Sequence, residues 1–169
     1  MPRTLTVSDS VVVARAPLAV YEQVSSVWRM GEWSPENLGA RVRGGQRAAE
    51  AGMVFDGRNR RGVFSWTTRC TVVAAEPGER FVFAVRAIGL RTPRLRGPIA
   101  TWEYRFEAVP GGTRVTETWT DDRTRWPDPV ANAFDRIATR GHTFAAFQAR
   151  NIATTLRNLK AALERQRNQ

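Results

Sequence analysis

Three turn signals in the middle of the chain limit its fold more than any other feature. Arg61-Gly62, Pro77-Gly78 and Gly111-Gly112 each separate runs rich in Val, Thr, Phe and Trp, which is the pattern of β-hairpins. The runs cover 53–60, 63–76, 79–88, 99–109 and 113–122, with a longer connection at 89–98. A hairpin places opposed residues on one face of its sheet, so each turn predicts pairs. A two-residue loop at Arg61-Gly62 opposes Asn59 to Phe64, Gly57 to Trp66 and Phe55 to Thr68. The loop at Pro77-Gly78 opposes Val72 to Phe83 and Cys70 to Val85. The loop at Gly111-Gly112 opposes Phe106 to Glu117 and Tyr104 to Trp119.

All three hairpins select the same dry side. One face collects Phe55, Asn59, Phe64, Trp66, Thr68, Cys70, Phe83, Val85, Trp102, Tyr104, Phe106, Glu117 and Trp119, and the other collects Arg69, Arg86, Glu103, Arg105, Glu107 and Arg114. A strand slipped by one residue would exchange the two sets. The agreement therefore predicts an antiparallel sheet with one covered face. Residues 4–15 add a strand, and Asn37 to Gln46 another that stops at Gly44-Gly45. Pro17 opens a helix with Val20, Tyr21 and Val24 on its apolar side, and the segment around Trp33 reads as a turn or second short helix. Residues 128–165 read as helix, with Phe134, Ile137, Phe144, Gln148, Ile152, Leu156, Leu159 and Leu163 near one stripe. Unbroken, that helix would run about 57 Å, longer than a domain about 40 Å across, so a break at Gly141 is expected. The expected architecture is α+β: a curved sheet of about seven strands wrapped around a long C-terminal helix.

Composition removes several classes of function. The 169 residues suit one domain, 1–169. A single cysteine, Cys70, and a single histidine, His142, argue against a disulfide framework and a zinc or iron–sulfur centre; no metal and no cofactor are expected. No run is long enough to span a bilayer and no signal peptide is visible, so a cytoplasmic address is expected. The formal net charge is +10, yet of the 26 basic residues all but Lys160 are arginine, scattered from Arg3 to Arg167. One-sided usage of this kind reads as coding bias, and no specific nucleic-acid partner is expected. Monomer and homodimer both stay open.

Particular segments resemble the START-like SRPBCC superfamily, and within it the polyketide cyclase/dehydrase-like branch. Ala16-Pro17 followed by Val20-Tyr21 and Val24 is similar to its opening. Trp28 to Glu36, reading W-R-M-G-E-W-S-P-E, resembles its "R-M-x-x-W-S-P-E" segment, although Ser26 or Val27 stands where Asp is common. Val73 to Gly78, Gly112 to Glu117 ("G-T-x-V-T-E") and Thr155 to Lys160 ("T-L-x-x-L-K") resemble its later strands and close. The resemblance covers nearly the whole chain and implies a helix-grip fold with a cavity between the concave sheet and the long helix. Because the superfamily holds carriers, receptors and enzymes, it does not identify the ligand.

No G-x-S-x-G, P-loop, dinucleotide or H-E-x-x-H motif is present. Chemistry would have to come from polar groups in an apolar pocket. Bulky rings at Phe55, Phe64, Trp66, Phe83, Trp102, Phe106 and Trp119 suit an aromatic-walled cavity for a small hydrophobic ligand, the alternative being an ordinary packed core. Trp28 and Trp33 would form one wall, and Phe144 and Gln148 of the long helix another. Asn59, Thr68 and Tyr104 would orient a ligand, or serve as hydrogen-bonded core groups. Glu117 among the rings is the candidate general acid or base, with His142 or Tyr104 as its partner; a carboxylate held by a rim arginine is the alternative. Arg91, Arg94 and Arg96 make 89–98 either a lid over an anionic ligand or a plain connection. Three functions follow: a binder of a hydrophobic, polyketide- or lipid-like ligand; a polyketide cyclase or dehydrase-like enzyme using Glu117; or an interaction module with a collapsed pocket.

Overall fold

The computed structural model describes residues 2–167. A seven-stranded antiparallel sheet runs in the spatial order β1-β7-β6-β5-β4-β3-β2. Its strands are β1 (Thr6–Val13), β2 (Asn37–Val42), β3 (Val54–Arg61), β4 (Phe64–Glu76), β5 (Arg80–Gly89), β6 (Leu95–Val109) and β7 (Gly112–Asp121). Helix α1 (Pro17–Ser25) and a 3₁₀ segment, Val27–Glu32, follow β1, while α2 (Asp128–Ala138) and α3 (Phe144–Arg167) come after the last strand.

The faces agree with the hairpin reading, but two of the three registers differ from it. At the β4–β5 hairpin Val72 opposes Phe83 and Cys70 opposes Val85, as expected, before a bulge brings Ala74 opposite Val82. In the β3–β4 hairpin Asn59 opposes Trp66 and Phe55 opposes Cys70. In the β6–β7 hairpin Tyr104 opposes Glu117 and Trp102 opposes Trp119. The turns there are Gly62-Val63 and Pro110-Gly111, each displaced by one position from the expected loop. Gly62 and Gly111 take the left-handed conformations those turns need, at φ +59° and +90°. Moving a turn centre by one position shifts each partner by two residues, which preserves the face. Gly112 is needed for a different reason: a Cβ there would lie 2.0 Å from the Val13 carbonyl oxygen. That contact brings the start of β7 against the end of β1.

Strand β6 begins at Leu95, with Arg96 opposite Ala87 and Leu95 opposite Ile88. The expected ten-residue connection therefore shrinks to 90–94, too short and too tied to the sheet for a lid spanning 89–98. The long C-terminal helix breaks at 139–143, as its length required. Gly141 bonds back through its N–H to the Arg136 carbonyl at 2.7 Å, and Arg140 sits before it at φ 56°. This is a Schellman-type helix end with arginine in the left-handed position that glycine usually occupies.

Helix α3 packs mainly along β1 and also touches β7. Its buried stripe of Ile152, Leu156, Leu159 and Leu163 shares one apolar cluster with Val13, Val24, Phe81 and Val115. Because the helix lies toward one edge, the concave surface of β3 to β6 is not filled by it.

Candidate functional site

That uncovered concavity is a cavity of about 770 Å³, in the range of small-molecule sites. Its volume has a local cause. The inward rows of the central strands are small in their middle, with Gly57, Thr68, Cys70 and Ala100 where bulky residues would fill the space. Phe55, Phe83, Trp102 and Trp119 form the apolar walls; Met30 of the 3₁₀ segment, Trp33 just past its end, and Gln148, Asn151 and Thr155 of α3 close the other sides. A cavity therefore stands where the collapsed-module reading requires packed core.

Glu117 is the polar group at its floor. The cross-strand pairing with Tyr104 brings the tyrosine hydroxyl to donate to Glu117 Oε1 at 2.8 Å. The other carboxyl oxygen, Oε2, is buried with no hydrogen-bond partner among the described residues. Glu117 is 2% exposed, and burial pushes its carboxyl up to about 8; the Tyr104 bond opposes that rise, and Asp9, its neighbour across β1, adds to it. Burial and the adjacent carboxyl push the Tyr104 hydroxyl well above its usual range. Near neutral pH the pair therefore holds one extra proton in an apolar chamber.

Further out, Asn59 Nδ2 donates to Thr68 Oγ1 and accepts at Oδ1 from Asn37 Nδ2, both at 3.3 Å. Gln148 Oε1 accepts from Asn151 Nδ2 at 3.3 Å. Two arginines hold the entrance in shape. Arg61 pairs with Glu36, donates to the Ala138 carbonyl at the end of α2 at 2.8 Å, and lies 3.9 Å from the Phe147 ring centre. Arg123 is buried between Asp121 and Asp135 at 2.8 and 2.9 Å, and Arg3 reaches the same Asp121 and Asp128. Burial alone would raise the Asp121 carboxyl, but bonds from Arg123 outweigh it and hold the group below its usual range. Cys70 borders the cavity as an inert thiol, pushed up to about 12 by burial.

Of the residues singled out from the sequence, Trp33, Phe55, Asn59, Phe64, Trp66, Thr68, Phe83, Trp102, Tyr104, Glu117, Trp119, Phe144 and Gln148 border this one cavity. Three lie elsewhere. Trp28 is half-exposed in a separate groove beside Leu18 and Arg47, because the 3₁₀ turn points Met30 inward in its place. Phe106 lies in the core, edge-on to Tyr21 at 5.8 Å, since its inward row passes beneath α1. His142 is exposed in the break between α2 and α3, where its backbone bonds to Thr139; it is no partner for Glu117. Asn151 and Thr155 were missed, although steps of three and seven from Gln148 place them on the same side of a helix. Arg125, Trp126 and Arg140 at the entrance were also missed, while Arg96, expected in the 89–98 connection, borders the cavity from the start of β6. No helix of the described residues is long and apolar enough to cross a membrane.

Fold and cavity together define a helix-grip protein with a chamber under its C-terminal helices. The chain belongs to the polyketide cyclase / dehydrase and lipid transport family, whose profile matches residues 4–164. Among solved structures it is similar to a polyketide-cyclase-like protein of Corynebacterium glutamicum, at 28% identity and TM-score 0.57, covering 97% of this chain and 94% of that one. It resembles at 20% identity and TM-score 0.68 the di-domain aromatase/cyclase StfQ of the steffimycin biosynthetic pathway, covering 98% of this chain and 52% of that chain. A Nitrosomonas europaea protein, at 12% identity and TM-score 0.68, covers 100% of both chains and shares the fold. A search of the curated proteins found no match.

Proposed function

We propose that this protein binds a small hydrophobic ligand, of aromatic, polyketide-like or lipid-like character, in the chamber between the concave sheet and α3. The observation that carries this reading is an apolar chamber of about 770 Å³ whose floor presents one unpartnered carboxyl oxygen, Glu117 Oε2. A solid core would leave no such volume, and an unpartnered buried oxygen costs about 1–3 kcal/mol unless something in the chamber meets it. The protonated carboxyl would donate to a carbonyl or ether oxygen of the ligand. Trp102 and Trp119 would lie against its apolar body.

A second reading makes the chamber an active site. The same carboxyl, with a proton affinity near neutrality and Tyr104 in hydrogen-bond contact, suits a general acid or base for enolisation or dehydration of a polyketone. Native mass spectrometry of freshly purified protein tests both readings by looking for a bound small molecule. Titration with a panel of apolar fluorophores is the companion measurement. Binding weakened by Trp102→Ala in a chain that stays folded supports the site; no binding across the panel overturns it. Glu117→Gln then separates the two: modestly changed binding marks a carrier, and intact binding with turnover reduced about 10²–10⁴-fold marks a catalyst.

A further inference from the structure

The entrance of the chamber carries an unusual combination. Phe64, Leu95 and Ile137 border it and are 66%, 72% and 82% exposed. Each comes from a different element: Phe64 from the start of β4, Leu95 from the start of β6 and Ile137 from the end of α2. Trp126 also borders the cavity and stands half-exposed on the connection before α2. Large apolar side chains projecting into water around one opening call for a partner.

Of the charges beside them, the two carboxylates, Glu36 and Asp122, already have partners in Arg61 and the Thr101 hydroxyl. Arg96, Arg125 and Arg140 border the opening and make no ion pair among the described residues. On the convex face, by contrast, several arginines are matched, Arg69 with Asp56 at 2.8 Å, Arg80 with Glu103 at 2.7 Å and Arg114 with Glu107 at 3.0 Å, while Arg58 and Arg86 stand without an ion pair among the described residues. Arg140 also holds the left-handed backbone position at φ 56°, where glycine would be less strained. Its guanidinium reaches back toward the β3–β4 turn, within 3.8 Å of a Cβ built on Gly62.

We propose that this rim docks on an anionic lipid bilayer, with Phe64, Leu95 and Ile137 inserted among the acyl-chain ends and Arg96, Arg125 and Arg140 at headgroup level. The shape of the surface selects a bilayer over a protein. Its apolar points form a broken ring around a hole, whereas a protein interface needs a contiguous packed centre poor in charge. A bilayer accepts separate apolar tips at slightly different depths, and its anionic headgroups meet unpaired arginines without demanding a fixed geometry. Docked in this way, the chamber opens onto hydrocarbon, and an apolar ligand enters without crossing water. This inference rests on the chamber being a ligand site.

The test is flotation of the full chain with vesicles of equal phosphatidylglycerol and phosphatidylcholine, against vesicles of phosphatidylcholine alone. Binding to the anionic vesicles that weakens with salt, and little binding to the neutral ones, is expected. Each arginine near an anionic surface is worth about a five-fold factor, so R96Q/R125Q/R140N together should weaken binding roughly a hundredfold. Phe64→Ser, Leu95→Ser and Ile137→Ser combined should abolish insertion while circular dichroism stays unchanged, since all three are exposed. Absence of binding to anionic vesicles at low ionic strength overturns the proposal. So does binding indifferent to the three serines, which would be charge attraction alone, or capture by an acidic protein without capture by vesicles. Fluorophore uptake from water, read in the wild type, separates this from the preceding section: uptake of the fluorophore without flotation on anionic vesicles overturns the docking surface and leaves the ligand site. Wild-type protein that binds vesicles in this way but no apolar molecule keeps the docking surface and removes the ligand site.

Discussion

The two ends of the chamber solve opposite problems. At its floor a carboxyl is shut away from water with a single tyrosine for company, and its proton affinity rises. At its mouth, arginines stand without ion pairs among the described residues and large apolar groups are left in water. Between them, Arg123 shows what full pairing does to a buried charge. Burial should weaken its hold on a proton, but Asp121 and Asp135 bond it from two sides and raise it further. Burial therefore does not decide the state of a group; the number of partners that burial leaves it does.

The sharpest way to break this contrast is to remove the paired charge. Arg123→Met should leave Asp135 without its ion pair and Asp121 with Arg3 as its remaining cation, destabilising the fold by about 3–5 kcal/mol in urea denaturation at neutral pH. The break between α2 and α3 should become sensitive to proteolysis, because Asp135 Oδ2 also accepts the Phe144 N–H at 3.1 Å.

The unpaired floor should respond to pH. Its folded value lies above the ordinary 4.5, at about 8, so the folded state holds a proton the unfolded state has lost. Glu117 thus contributes stability that is full below 4.5 and declines as pH rises to about 8. Each unit in that window removes up to about 1.4 kcal/mol. Glu117→Gln should flatten the profile, so that melts at pH 5 and pH 8 differ less than in the wild type.

Tyr104→Phe should cost about 1–3 kcal/mol by leaving a second carboxyl oxygen without a donor. It should also move the Glu117 titration upward, since the lost bond was the one favouring the charged form; carbon NMR of the carboxyl reads that shift directly. The smallest effect is expected at the mouth. Ile137→Ser removes a side chain that packs little, and stability should stay within about 0.5 kcal/mol in thermal denaturation. A large loss there would mean that the mouth is closed core and not open rim.

Much of this contrast was legible before any coordinates. The faces of β3 to β7 were readable because side-chain direction alternates with period two, and an error of one turn position preserves it. The same tolerance concealed the partners. Glu117 was placed among the rings correctly, yet opposite Phe106 when its neighbour is Tyr104, because turn signals such as Pro110-Gly111-Gly112 admit more than one loop of the same parity. The helix break followed from length alone, while its left-handed residue, Arg140, carried no local signal since arginine does not announce that conformation.

The sequence by itself determined the sheet, the side that is dry, the helix that interrupts itself and the presence of a carboxyl on the apolar face, all consequences of periodicity and turn chemistry acting over a few residues. Only the tertiary structure decided that α3 lies along β1 and leaves β3 to β6 open, that Tyr104 is the group that meets Glu117, and that Trp28, Phe106 and His142 stand apart from the chamber. Those outcomes depend on where whole elements settle against one another. Packing distributed over many side chains sets that position, and no single stretch of the chain encodes it.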